Sequence, residues 1–458
     1  MTLPNSAEIV SADKRALLKQ RLDRGEIRLQ PLTFPQRELW EASPVPAADA
    51  ANHICCLIEV RGKVTPEDGK GALAQVVQRQ EALRVSFLPG KDRPVQMIRE
   101  ECAANLRFRE LTPEQCSPDA VEEIAREIFH EPFDLLQGPL YRVELLRSAP
   151  DDHVLVFAIH HAIADGWTLG LFIQELCIAY FQRARGINEP LPTVAQSYTA
   201  WGAAERAFWT PAECESRVAF WKSHLAGHRR LWSKLEGAAT ASGTHTRIVT
   251  QFSGELADAA RDLARRCSAT LFSTLLAAFQ IALSRWTGAD DILVGSPVAN
   301  RTKKATNETM GSFDGIVPVR GRVDHARPFP ASVRAVHQTT VDCFANAMPF
   351  VELVRALGDP GALGHNPIFD VRFALQNHPV PDIAMPGLSA KLRMRSTGTA
   401  RFHLACEITE QESELEVVWL FRPQLFPQAD VENLASTFES ILAEACAPSE
   451  TPLAALAT

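Results

Sequence analysis

One short apolar run, and the polar cluster that ends it, constrain the fold more than any other stretch of this sequence. The run is HVLVFAIH, residues 153–160, and it carries apolar residues at consecutive positions. A segment of this length that is apolar on both faces predicts a central strand in a covered sheet. The cluster HHAIADG, residues 160–166, then places two histidines, an aspartate and a glycine where that strand ends.

Helix-like and strand-like segments alternate along the whole chain, which predicts an α/β (α+β) fold with helices packed on mixed sheets. Apolar residues at helical spacing predict helices over residues 11–23, 65–84, 121–129, 168–186 and 271–288. Ser11 and Thr65 are plausible caps for the first two, and Gly186 and Gly288 end the last two. Further strands are predicted over residues 291–298, 371–376 and 415–421.

The chain has 458 residues, of which 46% are apolar, so it can form two or three units with sizeable cores. The most polar and aperiodic central stretch is ARGINEPLPTVAQS, residues 184–197, with two prolines. Such composition is typical of a boundary. We therefore predict an N-terminal helical segment (1–30), an N-terminal lobe (31–190) and a C-terminal lobe (191–458).

Composition argues against several classes of partner. The net charge is −8 and basic residues are spread along the chain, so we expect no nucleic acid partner. No run approaches the ~18–20 apolar residues that a membrane span needs, and the N-terminus does not resemble a signal peptide. The ten cysteines show no CxxC spacing, and the adjacent pair Cys55 and Cys56 is poorly placed for a simple disulfide framework. This favours reduced thiols and a cytoplasmic location.

The two adjacent histidines have different surroundings if both lie on a strand, because successive side chains point to opposite faces. They are a poor pair of ligands for one metal ion, and no metal site is expected. One imidazole at a strand end suits proton transfer near neutral pH. Asp165 could orient that imidazole or pair with an arginine, and Gly166 leaves space for a substrate. Two buried, hydrogen-bonded histidines beside an ordinary turn remain the alternative.

The cluster HHAIADGW resembles the HHxxxDG signature of the condensation domains of nonribosomal peptide synthetases. Other stretches resemble that family in its usual order, from about residue 30 to the end: LTFPQRELW (32–40), RQEALRVSF (79–87), EPFDLLQGPLYR (131–142), SYTAW (197–201), FWKSHLAG (220–227), DDILVGSPVANR (290–301), MPFVELV (348–354), HNPIFDVRFALQN (365–377) and QLFPQADVENLASTF (424–438). One such block would be weak evidence, whereas the ordered set is specific.

The resemblance implies a fold of two lobes, each like chloramphenicol acetyltransferase, that form a V-shaped pseudo-dimer with a central tunnel. It implies transfer of an acyl, peptidyl or polyketide chain from the phosphopantetheine arm of a carrier protein to an amine or a hydroxyl. No bound cofactor is expected. The expected partners are a carrier protein acting in trans and a small-molecule or second carrier-bound acceptor.

The resemblance also implies a role for each residue of the signature. His161 corresponds to the catalytic histidine and His160 to a histidine that packs inside the sheet. Asp165 corresponds to an aspartate that forms a structural ion pair, for which Arg301 is the expected partner. Gly166 corresponds to the narrow point of the tunnel.

The sequence departs from the family pattern where the tunnel floor and acceptor side are expected. A block resembling GxFVNT reads MGSFDGIVPVR (310–320), so that Phe313, Asp314, Gly315 and Ile316 are expected at the floor. The usual asparagine and threonine would offer an amide and a hydroxyl there, and their loss predicts a floor with few hydrogen-bond acceptors for an ammonium group. Because an ammonium group without such partners is costly to bury, we predict that the enzyme accepts alcohols at least as well as amines. His403 stands where an aspartate is usual, and residues 345–347 replace a His-Gln-Asp run.

Other functions stay open at this point. An acyl-CoA-dependent acyltransferase can share the His-xxx-Asp-Gly core, but the DFGWG-like block of the plant-type members is not found. Epimerisation domains keep both histidines, while heterocyclisation domains replace them with aspartates. A catalytically silent domain that only recruits carriers is the non-enzymatic alternative. The resemblance fits either a free-standing enzyme, including one that releases a finished chain, or a domain excised from a larger synthetase.

Overall fold

Three β-sheets organise the chain in the computed structural model. The model describes residues 12–42, 50–90, 93–187, 189–232, 246–358, 366–376, 383–385, 387–395, 397, 402–411 and 414–446. The predicted cap Ser11 lies outside the described residues.

Fifteen strands are described, and they are numbered in chain order: β1 (Ile27–Pro31), β2 (His53–Gly62), β3 (Val85–Leu88), β4 (Val95–Arg99), β5 (Leu106–Glu110), β6 (Tyr141–Ala149), β7 (Asp152–His160), β8 (Thr246–Phe252), β9 (Asp291–Val298), β10 (Gly315–Arg322), β11 (Val371–Gln376), β12 (Ile383–Met385), β13 (Leu388–Arg395), β14 (Leu404–Gln411) and β15 (Glu414–Phe421). All four predicted strands are confirmed.

Twelve α-helices are described: α1 (Ala12–Asp23), α2 (Phe34–Arg37), α3 (Pro66–Arg79), α4 (Pro118–His130), α5 (Gly166–Arg183), α6 (Tyr198–Phe208), α7 (Pro211–His224), α8 (Gly254–Arg266), α9 (Leu271–Thr287), α10 (Phe329–Ala345), α11 (Phe350–Leu357) and α12 (Gln428–Cys446). The five predicted helices are confirmed. Thr65 accepts a hydrogen bond from the backbone of Asp68 as the cap of α3, and Gly288 ends α9 in the left-handed conformation that glycine adopts without strain.

The N-terminal lobe is built on a six-stranded sheet in the order β12-β13-β2-β7-β6-β5. As predicted, β7 is a central strand, paired antiparallel with β2 on one side and β6 on the other. Its residues Val156–Ile159 are fully buried. This burial explains the apolar run, since neither face of β7 meets water. A separate three-stranded sheet, β1-β4-β3, lies beside it.

The C-terminal lobe is built on a second six-stranded sheet in the order β10-β9-β11-β14-β15-β8. Helix α9 is buried along most of its length and packs in one core with that sheet and the other helices of the lobe. Its nearly continuous apolar surface follows from this position. No single helix in the described part of the chain is long and apolar enough to cross a bilayer; α8 and α9 meet that requirement only together, and they are bent by 105°.

Two predicted boundaries are wrong in part. Strands β12 and β13 were assigned to the C-terminal lobe, but β13 pairs along its whole length with β2 and so belongs to the N-terminal sheet. Residues 27–30 were assigned to a helical segment, but they belong to β1, which pairs with β4. In both cases the pairing partner is distant in sequence, and local patterns carry no information about it.

Candidate active site

The signature lies on a tight turn at the end of β7. His160 is the last residue of the strand, and His161–Ile163 form one turn of 3₁₀ helix. The His160 ring is 2% exposed, and its Nδ1 accepts a hydrogen bond from the backbone N–H of Ala162 at 3.1 Å. This bond requires an unprotonated Nδ1. His160 therefore stabilises the turn by a hydrogen bond within the lobe, and its buried side chain is not available to a substrate.

His161 lies on the other side of the turn, and its half-buried ring lines a cleft between the two lobes. We call this space the inner cleft. Its other walls come from segment 34–42 and from the C-terminal lobe, and they include Pro35, Glu38, Leu39, Pro297 and Arg372. The two histidines thus have different surroundings, as predicted, although His161 lies on the turn that follows β7 and not on the strand itself.

The turn is held from outside by a glutamine that the sequence analysis did not single out. Gln36 is fully buried in α2, and its Nε2 donates to the carbonyl of Ala162 at 3.0 Å. Its Oε1 accepts from the backbone of Thr33 at 2.9 Å, which closes the capping box of α2. The sequence feature that could have identified Gln36 is its spacing from Thr33, which is that of a capping box, in the LTFPQRELW block.

Asp165 is 1% exposed and caps the N-terminus of α5, of which Gly166 is the first residue. Its Oδ1 accepts from the backbone of Thr168 at 2.9 Å, and Arg301 donates to both of its oxygens at 3.1 and 2.9 Å. The backbone of Phe313 donates to Oδ2 at 3.3 Å. Asp165 therefore pairs with an arginine, which was one of the two roles open to it.

Arg301 connects this carboxylate to the C-terminal lobe. Its other terminal nitrogen donates to the carbonyls of Thr306 and Thr309 at 2.7 and 2.9 Å. Its guanidinium carbon lies 3.9 Å from the ring centroid of Phe313. The segment 299–314, which we call the bridging loop, is thus held against the N-terminal lobe at the signature.

A second contact holds the bridging loop to helices α3 and α5. Gln80 donates to the carbonyl of Glu308 at 2.9 Å and accepts from the backbone of Met310 at 2.9 Å. Gln80 also donates to Glu175 at 2.6 Å, and Arg79 is ion-paired with the same carboxylate. Burial raises the pKa of Glu175 to about 7, against the opposing effect of Arg79. The loop is therefore fixed at two places.

The expected floor residues do not all lie on one surface. Asp314, Gly315 and Ile316 line the inner cleft, as does the neighbouring Ser312. Phe313 does not, since its side chain is fully buried in the core of the N-terminal lobe, at 4.5 Å between ring centroids from Trp201. Phe313 supports the floor from below and offers no surface to a substrate.

Gly315 is explained by its neighbour Asn300. A Cβ at residue 315 would lie 2.8 Å from Nδ2 of Asn300, which donates to the carbonyl of Phe313 at 3.0 Å. A side-chain amide is therefore present beside residue 315, but Asn300 supplies it. Asn300 adopts a positive φ of 48°, which asparagine tolerates better than most residues.

A second, adjoining space continues from the inner cleft, and we call it the outer cleft. Pro35, Glu38, Asp314 and Gly315 line both. The outer cleft is also lined by aromatic side chains and by a third carboxylate, namely Phe34, Trp201, Trp209, Phe350 and Glu205. The premise of a floor with few hydrogen-bond acceptors is therefore wrong, because carboxylates line this side of the site.

The remaining departures from the family pattern lie at His403 and at residues 345–347. His403 is buried, with Nδ1 3.3 Å from an oxygen of Asp370, and Arg230 pairs with the same carboxylate. At residues 345–347, the carbonyl of Asn346 accepts from Trp221 at 2.8 Å and Ala347 lines the outer cleft. Within the described ranges, no group of three or more His, Cys, Asp or Glu side chains could hold a metal ion.

The architecture and the signature define a two-lobed α/β protein whose histidine faces a cleft between the lobes. A family comparison assigns the class more narrowly, since the sequence model described as "Condensation domain" matches residues 26–458. The chain belongs to the condensation domain family.

Curated relatives are much longer than this chain. Malpibaldin synthetase of Mortierella alpina is 26% identical over 90% of this chain but only 8% of its own length. Phosphinothricin tripeptide synthetase PhsC of Streptomyces viridochromogenes is 28% identical over 93% of this chain and 40% of its own length. The chain thus corresponds to one part of these synthetases.

Solved structures show the same fold over nearly the whole chain. The X-domain from teicoplanin biosynthesis has a TM-score of 0.83 at 20% identity and covers 93% of this chain and 97% of its own. The first condensation domain of the CDA synthetase has a TM-score of 0.76 at 21% identity, with coverages of 94% and 99%. The mixed α/β fold predicted from the sequence is therefore confirmed as that of condensation domains.

Proposed function

We propose that this protein is a condensation enzyme that transfers an acyl chain from a carrier-bound thioester to an amine or a hydroxyl group. The observation that carries the proposal is the position of His161, which faces a cleft lined by both lobes on a turn fixed from two sides. Family membership supports amide formation, and ester formation with a hydroxyl acceptor belongs to the same chemistry.

The reaction replaces a C–S bond with a C–N or C–O bond. The acceptor atom attacks the thioester carbonyl carbon, the carbonyl oxygen gains negative charge, and the thiolate of the phosphopantetheine arm then leaves. His161 accepts the proton that the attacking atom loses and returns one to the departing sulfur. An alcohol needs that proton removed during attack, whereas a neutral amine mainly needs to be positioned.

Asp165 and Arg301 act on this reaction through structure. Their ion pair holds the bridging loop, which carries Asp314 at the floor, against the helix that follows the signature. The distance between His161 and the floor therefore depends on this contact. We propose that the carrier is supplied in trans in the cytoplasm, and that the acceptor is a small molecule or a second carrier-bound group.

Two other functions have a specific observation in their favour. A starter condensation domain of similar fold was solved in complex with C8-CoA, which supports acyl-CoA as an alternative donor. The X-domain of similar fold was solved in complex with OxyB, which supports a recruiting role. The intact HHxxxDG signature favours catalysis over recruitment alone.

Intact-protein mass spectrometry of loaded carriers, with a panel of acceptors, tests the proposal. We expect loss of the acyl group from the carrier only when this protein and an acceptor are present. His161→Ala should slow transfer by ~10²–10⁴, whereas the matched variant His325→Ala, in the C-terminal lobe, should keep the wild-type rate. Transfer from acyl-CoA but from no carrier would favour the first alternative. Full activity of His161→Ala would refute the assigned site.

A further inference from the structure

Two walls of the inner cleft are joined by hydrogen bonds that run through the protein interior. One wall is the turn that begins with His161, and the other is the floor, where Ser312 of the bridging loop lies. Three side chains connect these walls, and we call them the buried network: Gln36, Thr33 and Tyr198. All three are fully buried. The proposed reaction uses none of them directly, so their role has to be structural or positional.

At the signature, Ala162 is held by both of its backbone polar groups. Its N–H donates to His160, and its carbonyl accepts from Nε2 of Gln36 at 3.0 Å. Oε1 of Gln36 accepts from the backbone N–H of Thr33 at 2.9 Å, so the amide of Gln36 cannot rotate without losing both bonds. Because Ala162 directly follows His161, these bonds fix the backbone from which the imidazole projects.

At the floor, Tyr198 donates its phenolic O–H to the carbonyl of Ser312 at 2.8 Å. The same phenolic oxygen lies 2.8 Å from Oγ1 of Thr33. A phenol has one proton and a carbonyl can only accept, so the proton between Tyr198 and Thr33 belongs to the threonine. Burial raises the pKa of Tyr198, which keeps the phenol protonated and able to donate. The hydrogen bonds of the buried network therefore have fixed directions.

The ring of Tyr198 packs closely against the bridging loop. A Cβ at residue 311 would overlap this ring, so Gly311 leaves the space that the ring occupies. The ring centroid also lies 5.4 Å from that of Phe313 and 5.7 Å from that of Trp201. This packing fixes the ring, and movement of the floor relative to α2 therefore has to break a hydrogen bond at its hydroxyl.

We propose that Thr33 and Tyr198 are positioning residues that set the distance between His161 and the floor of the inner cleft for the condensation reaction. This inference rests on the proposed function. The buried network is a second support for the floor, in addition to the contact of Asp165 with the backbone of Phe313. When one bond of the network is removed, the floor stays attached to the N-terminal lobe, but its distance from the imidazole is no longer fixed.

Amide hydrogen exchange of the full chain, measured by mass spectrometry, tests the connection without requiring turnover. Tyr198→Phe keeps the ring and removes the hydroxyl. We expect about fivefold faster exchange in peptides from both walls, residues 160–166 and 310–316, as for loss of one neutral hydrogen bond. Faster exchange at the floor alone would show that the two walls are not joined and would overturn the inference.

Tyr180→Phe is the matched control. The hydroxyl of Tyr180 donates to the carbonyl of Lys63 at 3.1 Å and accepts from the backbone N–H of Thr65 at 3.0 Å, so it also makes one bond of each kind. Tyr180 lies near the end of α5 that is remote from the signature. This variant should exchange at wild-type rates in both walls and should keep the wild-type kcat and KM.

Turnover separates positioning from simple stabilisation. At a temperature where the variants are folded, Tyr198→Phe and Thr33→Val should each lower kcat about tenfold and leave the KM of donor and acceptor nearly unchanged, because misplaced reacting groups affect the transition state more than binding. Thr33→Ser keeps the hydroxyl and should restore most of the rate. The double variant should also lose about tenfold, since both changes remove the same hydrogen bond.

The kinetic results decide between the inference and the proposed function. Raised KM values at an unchanged kcat, or a Thr33→Ser variant as slow as Thr33→Val, would overturn the inference and leave the proposed function intact. If the wild-type chain transfers an acyl group from no carrier, the proposed function fails instead, and hydrogen exchange still decides whether the two walls are joined.

Discussion

Among the described residues, each lobe contributes one buried aspartate that is paired with an arginine, and the two ion pairs differ in the parts of the molecule that they connect. Asp165 and Arg301 have side chains that are 1% and 3% exposed. Asp370 and Arg230 have side chains that are 0% and 13% exposed. Each aspartate also accepts a backbone N–H, from Thr168 in the first case and from Trp232 in the second.

The first pair joins the lobes, because Arg301 belongs to the bridging loop and Asp165 to the N-terminal lobe. The second pair stays within the C-terminal lobe and has a third member, His403, at 3.3 Å from Asp370. The two ion pairs therefore have different consequences. The first fixes the geometry of the reactive cleft, whereas the second stabilises one lobe and includes a histidine as its third member.

The largest effect is expected from Asp165→Ala. It leaves the guanidinium of Arg301 buried without its carboxylate, which costs about 3–5 kcal/mol of unfolding free energy. Arg301→Ala should cost a similar amount, and the double variant should cost less than the two single costs combined. Urea unfolding of the three variants measures this, and additive losses would contradict the pairing.

Asp370→Asn should cost less, about 2–3 kcal/mol, because Arg230 is more exposed and can regain water. The comparison predicts a further difference in activity. At a temperature where both variants are folded, Asp165→Ala should lower the transfer rate, whereas Asp370→Asn should keep it. Equal rate losses would show that the second pair also acts on the cleft.

His403→Asp should destabilise by about 1–2 kcal/mol, since two carboxylates would then share Arg230 and one of them would have a raised pKa. His403→Asn is the control, because it removes the imidazole without adding a charge. Thermal unfolding of both variants distinguishes repulsion from simple loss of a contact. A more stable His403→Asp variant would mean that the histidine does not compensate the charge of Asp370.

The smallest expected effect is a change in stability at acid pH. Burial opposes ionisation of Asp370, but the hydrogen bond from His403 and the charge of Arg230 hold its pKa below the ordinary value. A lowered pKa in the folded state gives stability that is present above about pH 4 and is lost as the pH falls through the folded-state pKa. The stability gap between wild type and Asp370→Asn should therefore narrow by about 1 kcal/mol between pH 5 and pH 3. A constant gap in urea titrations would exclude this linkage.

Local patterns were sufficient to predict five of the twelve described helices and four of the fifteen described strands. The apolar run around Phe157 follows from burial of both faces of β7. The different surroundings of His160 and His161 were predicted from strand alternation, but they arise because β7 ends at His160 and a 3₁₀ turn begins at His161. The pairing of Asp165 with Arg301 was expected only through resemblance, because no spacing rule connects residues on different lobes.

What could not be predicted depends on contacts between distant segments. The amide of Asn300 lies beside Gly315, a contact that local sequence patterns do not reveal. Glu38, in the turn that follows α2, and Glu205, on α6, line the same cleft although they are distant in sequence, which neither helical spacing nor charge reveals. His403 is intelligible only once Asp370 is known to face it.

The placement of β13 has a consequence for synthesis of the chain on the ribosome. Strands β2, β7 and β6 are complete once His160 has emerged, but the free edge of β2 is covered only when Arg395 pairs with Cys55. At ~5–20 residues per second, that edge stays open for some tens of seconds. It presents the apolar sequence ICCLIEV with unpaired backbone groups, which is the type of edge that recruits other strands. Yield of folded protein should therefore be limited by aggregation of nascent chains that have not yet reached residue 395.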